Sequence, residues 1–148
     1  MMEHVDSTAY LHGLCALRPR MTALRLGVLV TEAGSAEAAW NAGPELLRHA
    51  GWSSDAVDVF LRHRGSWDLA SEAEQLRNQD IALLPLEHAA YPILLRHVYD
   101  PPIALYVRGQ PPPTEKAIAV VGSRAATPYG RAATGMLVRP LAARGLTI

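Results

Sequence analysis

Three patterns of apolar and polar positions follow one another along this chain. Between Ser7 and Arg64 the spacing is helical: Tyr10, Leu11, Leu14 and Leu17 form one stripe, and Leu24, Val28 and Leu29 a second. Breakers recur at Pro19, Gly34, Gly43-Pro44 and Gly51, and Ser35, Ser53 and Ser54 are placed as N-caps. The pattern predicts four or five helices of about two to three turns, packed on one another. From Ser66 to about Gln79 the chain is polar and helix-prone, with Asp68, Glu72 and Glu74 near its start, where the helix dipole favours acids. This reads as a connecting helix. Ile81 to Leu84 and Ile103 to Val107 predict short strands, Tyr91-Pro92-Ile93-Leu94-Leu95 a helical turn opening at proline, and Pro111-Pro112-Pro113 a stiff extended spacer.

The third pattern is AIAVVGSRAATPYG, Ala117 to Gly130. Its five-residue apolar run lacks polar alternation, which predicts a strand buried on both faces, as in a parallel sheet. Gly122 permits a sharp turn, and Thr127-Pro128 supplies an N-cap and a first helical residue. Ala133, Met136, Leu137 and Leu141 then give a core-facing stripe, Gly145 ends the helix, and Leu146 to Ile148 open a further strand. Pro140 opposes this scheme, because it removes a hydrogen bond and crowds the Met136 carbonyl, so a kink or break is expected near Arg139. The fold class is α/β: helical residues 1–65, a connecting helix over 66–80, and a strand-loop-helix unit within 81–148. The helical part resembles compact modules of the sterile-alpha-motif (SAM-like) and helix-hairpin-helix kind.

Composition narrows the classes. The chain has 148 residues, 49% of them hydrophobic, enough for one sizeable core or two small ones. No apolar run approaches the roughly 18 residues of a membrane span, and Met1 to Asp6 has neither a basic start nor a hydrophobic stretch, so a cytoplasmic protein is expected. Cys15 is the single cysteine, which excludes an internal disulfide and predicts an inert buried thiol. His49, His63, His88 and His97 do not fall at ligand spacings, so no metal site is assigned, and no cofactor. The zero net charge divides unevenly: seven arginines oppose twelve acids through Leu95, while six arginines and Lys116 oppose Asp100 and Glu115 from Arg96 onward.

The basic half contains the Gly-Ser-Arg loop. Unpaired backbone N–H groups at a loop and helix start, with an arginine among them, suit a phosphate, and the surrounding charge favours a polyanion. Neither G-x-G-x-x-G nor a Gly-Lys-Ser/Thr phosphate loop is present, and Ser123 has no G-x-S-x-G setting, so no catalytic residues are assigned. Two alternatives stay open: a nucleotide-binding or nucleotide-cleaving enzyme on the same unit, and a protein–protein interaction fragment.

YPILLRHVYDPPIALYVRGQ, then AIAVVGSRAATPYGRAA and ARGLTI, resemble the DNA-processing protein A (DprA/Smf) family in order, spacing and residue type. The chain departs from that pattern at Glu87-His88-Ala89-Ala90, where the family has an acidic, proline-containing turn. The resemblance implies that residues 81–148 are the first part of a Rossmann-like domain. It further implies that the protein binds single-stranded DNA and helps load the RecA recombinase during natural transformation, as a DNA-binding accessory protein rather than an enzyme. It places Arg124 in a DNA-contacting loop with Gly122 and Ser123; by helical spacing Arg131, and beyond it Arg139, project away from the apolar stripe and are expected to extend the positive track. Tyr129 is expected to pack against the first strand rather than stack on a base. The family's sequence continues past the equivalent of Ile148, so a truncated chain is expected, with exposed apolar surface and self-association, and a homodimer among its partners.

Overall fold

The computed structural model describes residues 6–18, 21–110 and 116–148. Two compact units divide the chain, Met1–Gly109 and Gln110–Ile148.

In the first unit, five helices follow the expected breakers: α1 (Ser7–Ala16), α2 (Ala23–Ala33), α3 (Ala36–Trp40), α4 (Pro44–His49) and α5 (Ser54–Ser66). Short polar side chains start them. Asp6, Thr22, Ser35 and Ser53 each accept from a backbone N–H of the first turn, satisfying donors that a helix start leaves open. Gly34 closes α2 with φ +83°, a left-handed value that glycine adopts without a side-chain clash. The connecting helix α6 (Leu69–Asn78) is capped by Asp68, whose Oδ1 accepts from both Ala70 and Ser71.

Leu11, Leu14, Leu17, Leu29, Leu47, Val57 and Phe60 form the centre of the core with Trp40 and Trp52. On α1 the expected stripe is the buried one, apart from Tyr10, which is half-buried. The face of α2 differs from expectation: Leu26 and Leu29 are buried, whereas Leu24 and Val28 are exposed. Ala23 to Val30 is apolar on nearly every side, so periodicity alone does not select the inward face.

Strands β1 (Ile81–Pro85) and β2 (Ala104–Arg108) pair antiparallel, Ile81 opposite Arg108 and Pro85 opposite Ala104. Between them runs the turn helix α7 (Ile93–Arg96). The strand pair belongs to the same compact unit as the helices. Polar contacts brace the 86–103 segment internally, and one joins it to α2. Buried Tyr91 donates its hydroxyl proton to the Pro102 carbonyl at 2.8 Å, and Arg96 lies 5.7 Å from the Tyr91 ring centre while donating to the His88 carbonyl. The Asp100 carboxylate accepts from the Leu24 N–H at 2.6 Å, a second cap on α2 supplied from another part of the chain.

A further tie is His12 on α1. Its Nδ1 is 2.7 Å from the Tyr106 hydroxyl, its Nε2 is 3.8 Å from Glu72, and its ring meets Trp67 and Tyr106 edge to face. Burial pushes the imidazole below its ordinary value, with Glu72 pulling in the opposite direction. The folded unit therefore holds this proton less tightly than the unfolded chain. The stabilisation is full above about pH 6.5 and is lost as pH falls through the folded-state value. Urea unfolding at about pH 7.5 and about pH 5.5 should show an acid-side loss that His12→Asn reduces; equal losses in both proteins would refute the assignment.

In the second unit, α8 (Pro128–Ala143) starts where expected, with Thr127 Oγ1 accepting from Gly130 N at 3.1 Å. Its end is closed by a paired turn, Gly145 N to Ala142 O and Leu146 N to Leu141 O, with Gly145 at φ +82°. The break expected near Arg139 is absent, and the helix runs through Pro140. Pro140 lies on the last turn of an exposed helix, so the Met136 carbonyl it deprives of a partner can be met by water. The run before the loop joins the end of the chain in parallel, through one bridge between Ala117 and Thr147. The bonds are Thr147 N to Lys116 O and Ile118 N to Thr147 O.

Burial of Ala117 to Val121 on both faces is a further expectation the structure corrects: all five residues are exposed, Val121 at 91%. Met136 and Leu137 are exposed as well, so the inward side of α8 is carried by Ala133, Val138 and Leu141, each half-buried. One bridge covers a single edge of the run. Among the described residues no second strand pairs with the other edge.

Candidate functional site

Gly122, Ser123 and Arg124 form an exposed turn between the paired run and α8. Ser123 Oγ accepts from Ala125 N at 3.1 Å, which folds the turn and leaves the hydroxyl proton available to a ligand. Among the described residues, no acceptor takes the N–H groups of Gly122, Ser123, Arg124, Ala126, Thr127 or Tyr129. Nothing lies within 4 Å of where a Cβ on Gly122 would stand, so the approach to its backbone is open. Arg124 has neither ion pair nor hydrogen bond among the described residues. Its guanidinium is thus free to form the paired hydrogen bonds that suit a phosphate.

The structure brings Arg131 to the same loop. Its Nη1 donates to the Ala126 carbonyl at 2.6 Å, which folds the side chain back over the helix start. Sequence spacing placed Arg131 one helical turn along but could not show this return. Arg139 lies two turns further, along the helix surface, with its Nε 3.9 Å from where a Cβ on Gly135 would stand. Tyr129 does not pack against the first strand as expected; its ring is 83% exposed. In its place Gly130, Ala133 and Leu141 occupy the half-buried side of the helix.

The unit holding this loop carries Lys116, Arg124, Arg131, Arg139 and Arg144 against Glu115 alone. A hollow of about 410 Å³ on α8 is lined by Arg131, Ala132, Gly135, Met136, Arg139 and Pro140. By contrast, the hollow of about 520 Å³ beside α2 is lined mainly by apolar and small residues, with Glu87 its one charge. Elsewhere in the molecule, burial pushes the half-buried Cys15 thiol up to about 11, so at neutral pH it stays protonated and unreactive. Among the described residues no group of three or more His, Cys, Asp or Glu side chains is placed to hold a metal ion. No described helix is long and apolar enough to cross a membrane.

The segments flanking this site match known sequences. Residues 82–148 match the family described as DNA recombination-mediator protein A. Over 74 residues the chain is 32% identical to the DNA processing protein DprA of Bacillus subtilis (strain 168), an alignment covering 49% of this chain and 25% of that protein. The matched part thus spans about a quarter of the relative's length. No solved structure matches the chain. Tyr91, Asp100 and Arg96, which fasten the 86–103 segment, fall within the family match, as do Gly122, Ser123, Arg124 and Arg131. Through residues 82–148, the chain is similar to the DNA recombination-mediator protein A family.

Proposed function

We propose that this chain carries a single-stranded-DNA-binding site of a DNA-processing protein that acts in recombination in the cytoplasm and helps load the RecA recombinase during natural transformation. In this reading the strand-loop-helix unit is the opening of a Rossmann-like parallel sheet, and the helices before it form a SAM-like module. Arg124 grips a phosphate with its guanidinium, while Gly122 and Ser123 offer backbone N–H groups and the Ser123 hydroxyl. Arg131 meets a neighbouring phosphate. The observation that carries the reading is the open Gly122-Ser123-Arg124 turn, with its unfilled donors and with Arg131 folded over it, on a unit whose charges are almost all positive. The family match supports the recombination role. The chemistry asked of the protein is binding and positioning, for which no proton-transfer partner is required.

Fluorescence anisotropy with a labelled oligothymidine strand tests it. Affinity should fall steeply as salt rises, because each neutralised phosphate releases counterions. Arg124→Ala should weaken binding about tenfold to a hundredfold, the range for hydrogen bonds to a charged group, and make the log–log salt slope shallower by about 0.7. Unchanged affinity and slope in the variant would sink the site.

A further inference from the structure

Resting on that reading, we propose that the exposed face of α8 is the base-bearing side of the site, with Tyr129 a stacking platform and Arg131 and Arg139 tracking the phosphates beside it.

Residues of an α-helix advance by about 100° each, which separates this face into two edges. Tyr129, Met136 and Pro140 fall along one; Arg131, Gly135 and Arg139 fall along the other. Ala132 keeps the floor between them low, and Gly135 adds no side chain to the arginine edge, so a hollow lies there. Tyr129 is 83% exposed and Met136 77% exposed, and among the described residues the Tyr129 hydroxyl has no partner. A rigid aromatic ring left in water next to unfilled phosphate donors is surface offered to a flat partner. The eight residue steps from Arg131 to Arg139 span about 12 Å of helix, so two cations are held apart along a track rather than at one point.

Only one occupant matches both edges. A polyphosphate fills the cationic edge and leaves the ring bare. A duplex presents phosphates but keeps the faces of its bases stacked inside. A single strand carries regularly spaced phosphates on one side and free aromatic faces on the other. Stacking on a protein ring is tolerant of sequence, because every base has such a face.

The test uses the whole chain with three probes of equal length: oligothymidine, an abasic strand with the same phosphates, and a duplex. Tyr129→Ala should weaken oligothymidine binding about tenfold, leave the abasic strand unchanged, and be rescued by Tyr129→Phe. Arg124→Ala, in contrast, should weaken oligothymidine and the abasic strand alike. Tyr129 is exposed, so the alanine variant should unfold at the parent's temperature. A Tyr129→Ala that binds oligothymidine as the parent does, or that loses both strands equally, overturns the stacking role while the phosphate site stands. Preference of the parent for duplex over oligothymidine also overturns it. If the parent binds no strand at all, the DNA-binding reading falls, and this inference with it.

Discussion

Replacing Phe60 with alanine is expected to lower the stability of the helical unit by about 3–5 kcal/mol, the range for truncating a fully buried aromatic ring. Phe60 is the one phenylalanine of the chain and is completely buried. Its ring meets Trp40 at 5.7 Å and Trp52 at 5.5 Å, both edge to face, and Arg64 lies 5.7 Å from the ring centre. Those pairings add to what area burial alone supplies. The loss also reaches the backbone, since Arg64 Nη1 donates to the Trp40 and Ala42 carbonyls at 2.9 Å each and is held in place over the ring. All three tryptophans, at 40, 52 and 67, belong to this unit, so their fluorescence through a urea titration reports its unfolding directly. A shift in midpoint corresponding to less than about 1 kcal/mol would mean the site collapses around the cavity far more completely than its rings allow.

The second large effect is expected at Gly13, where helix propensity and packing oppose each other. Within a helix, exchanging glycine for a residue with a side chain ordinarily gains a few tenths to about 1 kcal/mol. Here an added Cβ would stand 2.6 Å from Cζ3 of Trp40 and 2.9 Å from its Cη2. Trp40 is buried and flanked by Phe60 and His63, both at 5.7 Å, so its ring has nowhere to withdraw. Packing wins. Gly13→Val, branched at the clashing carbon, should cost about 3 kcal/mol, the upper part of the overpacking range. The same fluorescence titration checks it, and a variant as stable as the parent would show that α1 and α3 can separate without penalty.

Local rules in the sequence located much of this architecture. Ser35, Ser53 and Thr127 were legible as caps because an N-cap needs only a short polar side chain beside its own helix. Gly34, Gly51 and Gly145 were legible as stops, and each has a positive φ. The loop Gly122-Ser123-Arg124 could be read from one strand run, one glycine and one proline. What could not be read depends on distant residues. Nothing near Leu24 announces that Asp100 will cap it, and nothing near His12 announces Tyr106 or Glu72. The strand assigned to Ala117 to Val121 shows the opposite limit. An unbroken apolar run predicts burial, yet burial is supplied by neighbours, and the described chain pairs that run only at Ala117. Arg131 illustrates a third limit, because spacing gives a residue's place on a helix but not the direction its long side chain takes.

The hydrogen bond from Leu24 N to Asp100 has a consequence for the order of folding. The other caps of α1 to α6 are local and can form as each helix does, on the fast timescale of short-range contacts. The Asp100 cap requires a loop of 76 residues to close, which adds a slow, entropy-limited step. Helices α3 to α6 can therefore be in place while the first turn of α2 still waits, and the segment carrying Asp100 is expected to dock late, together with the meeting of Tyr106 and His12. Kinetically, that segment is the latch of the helical unit.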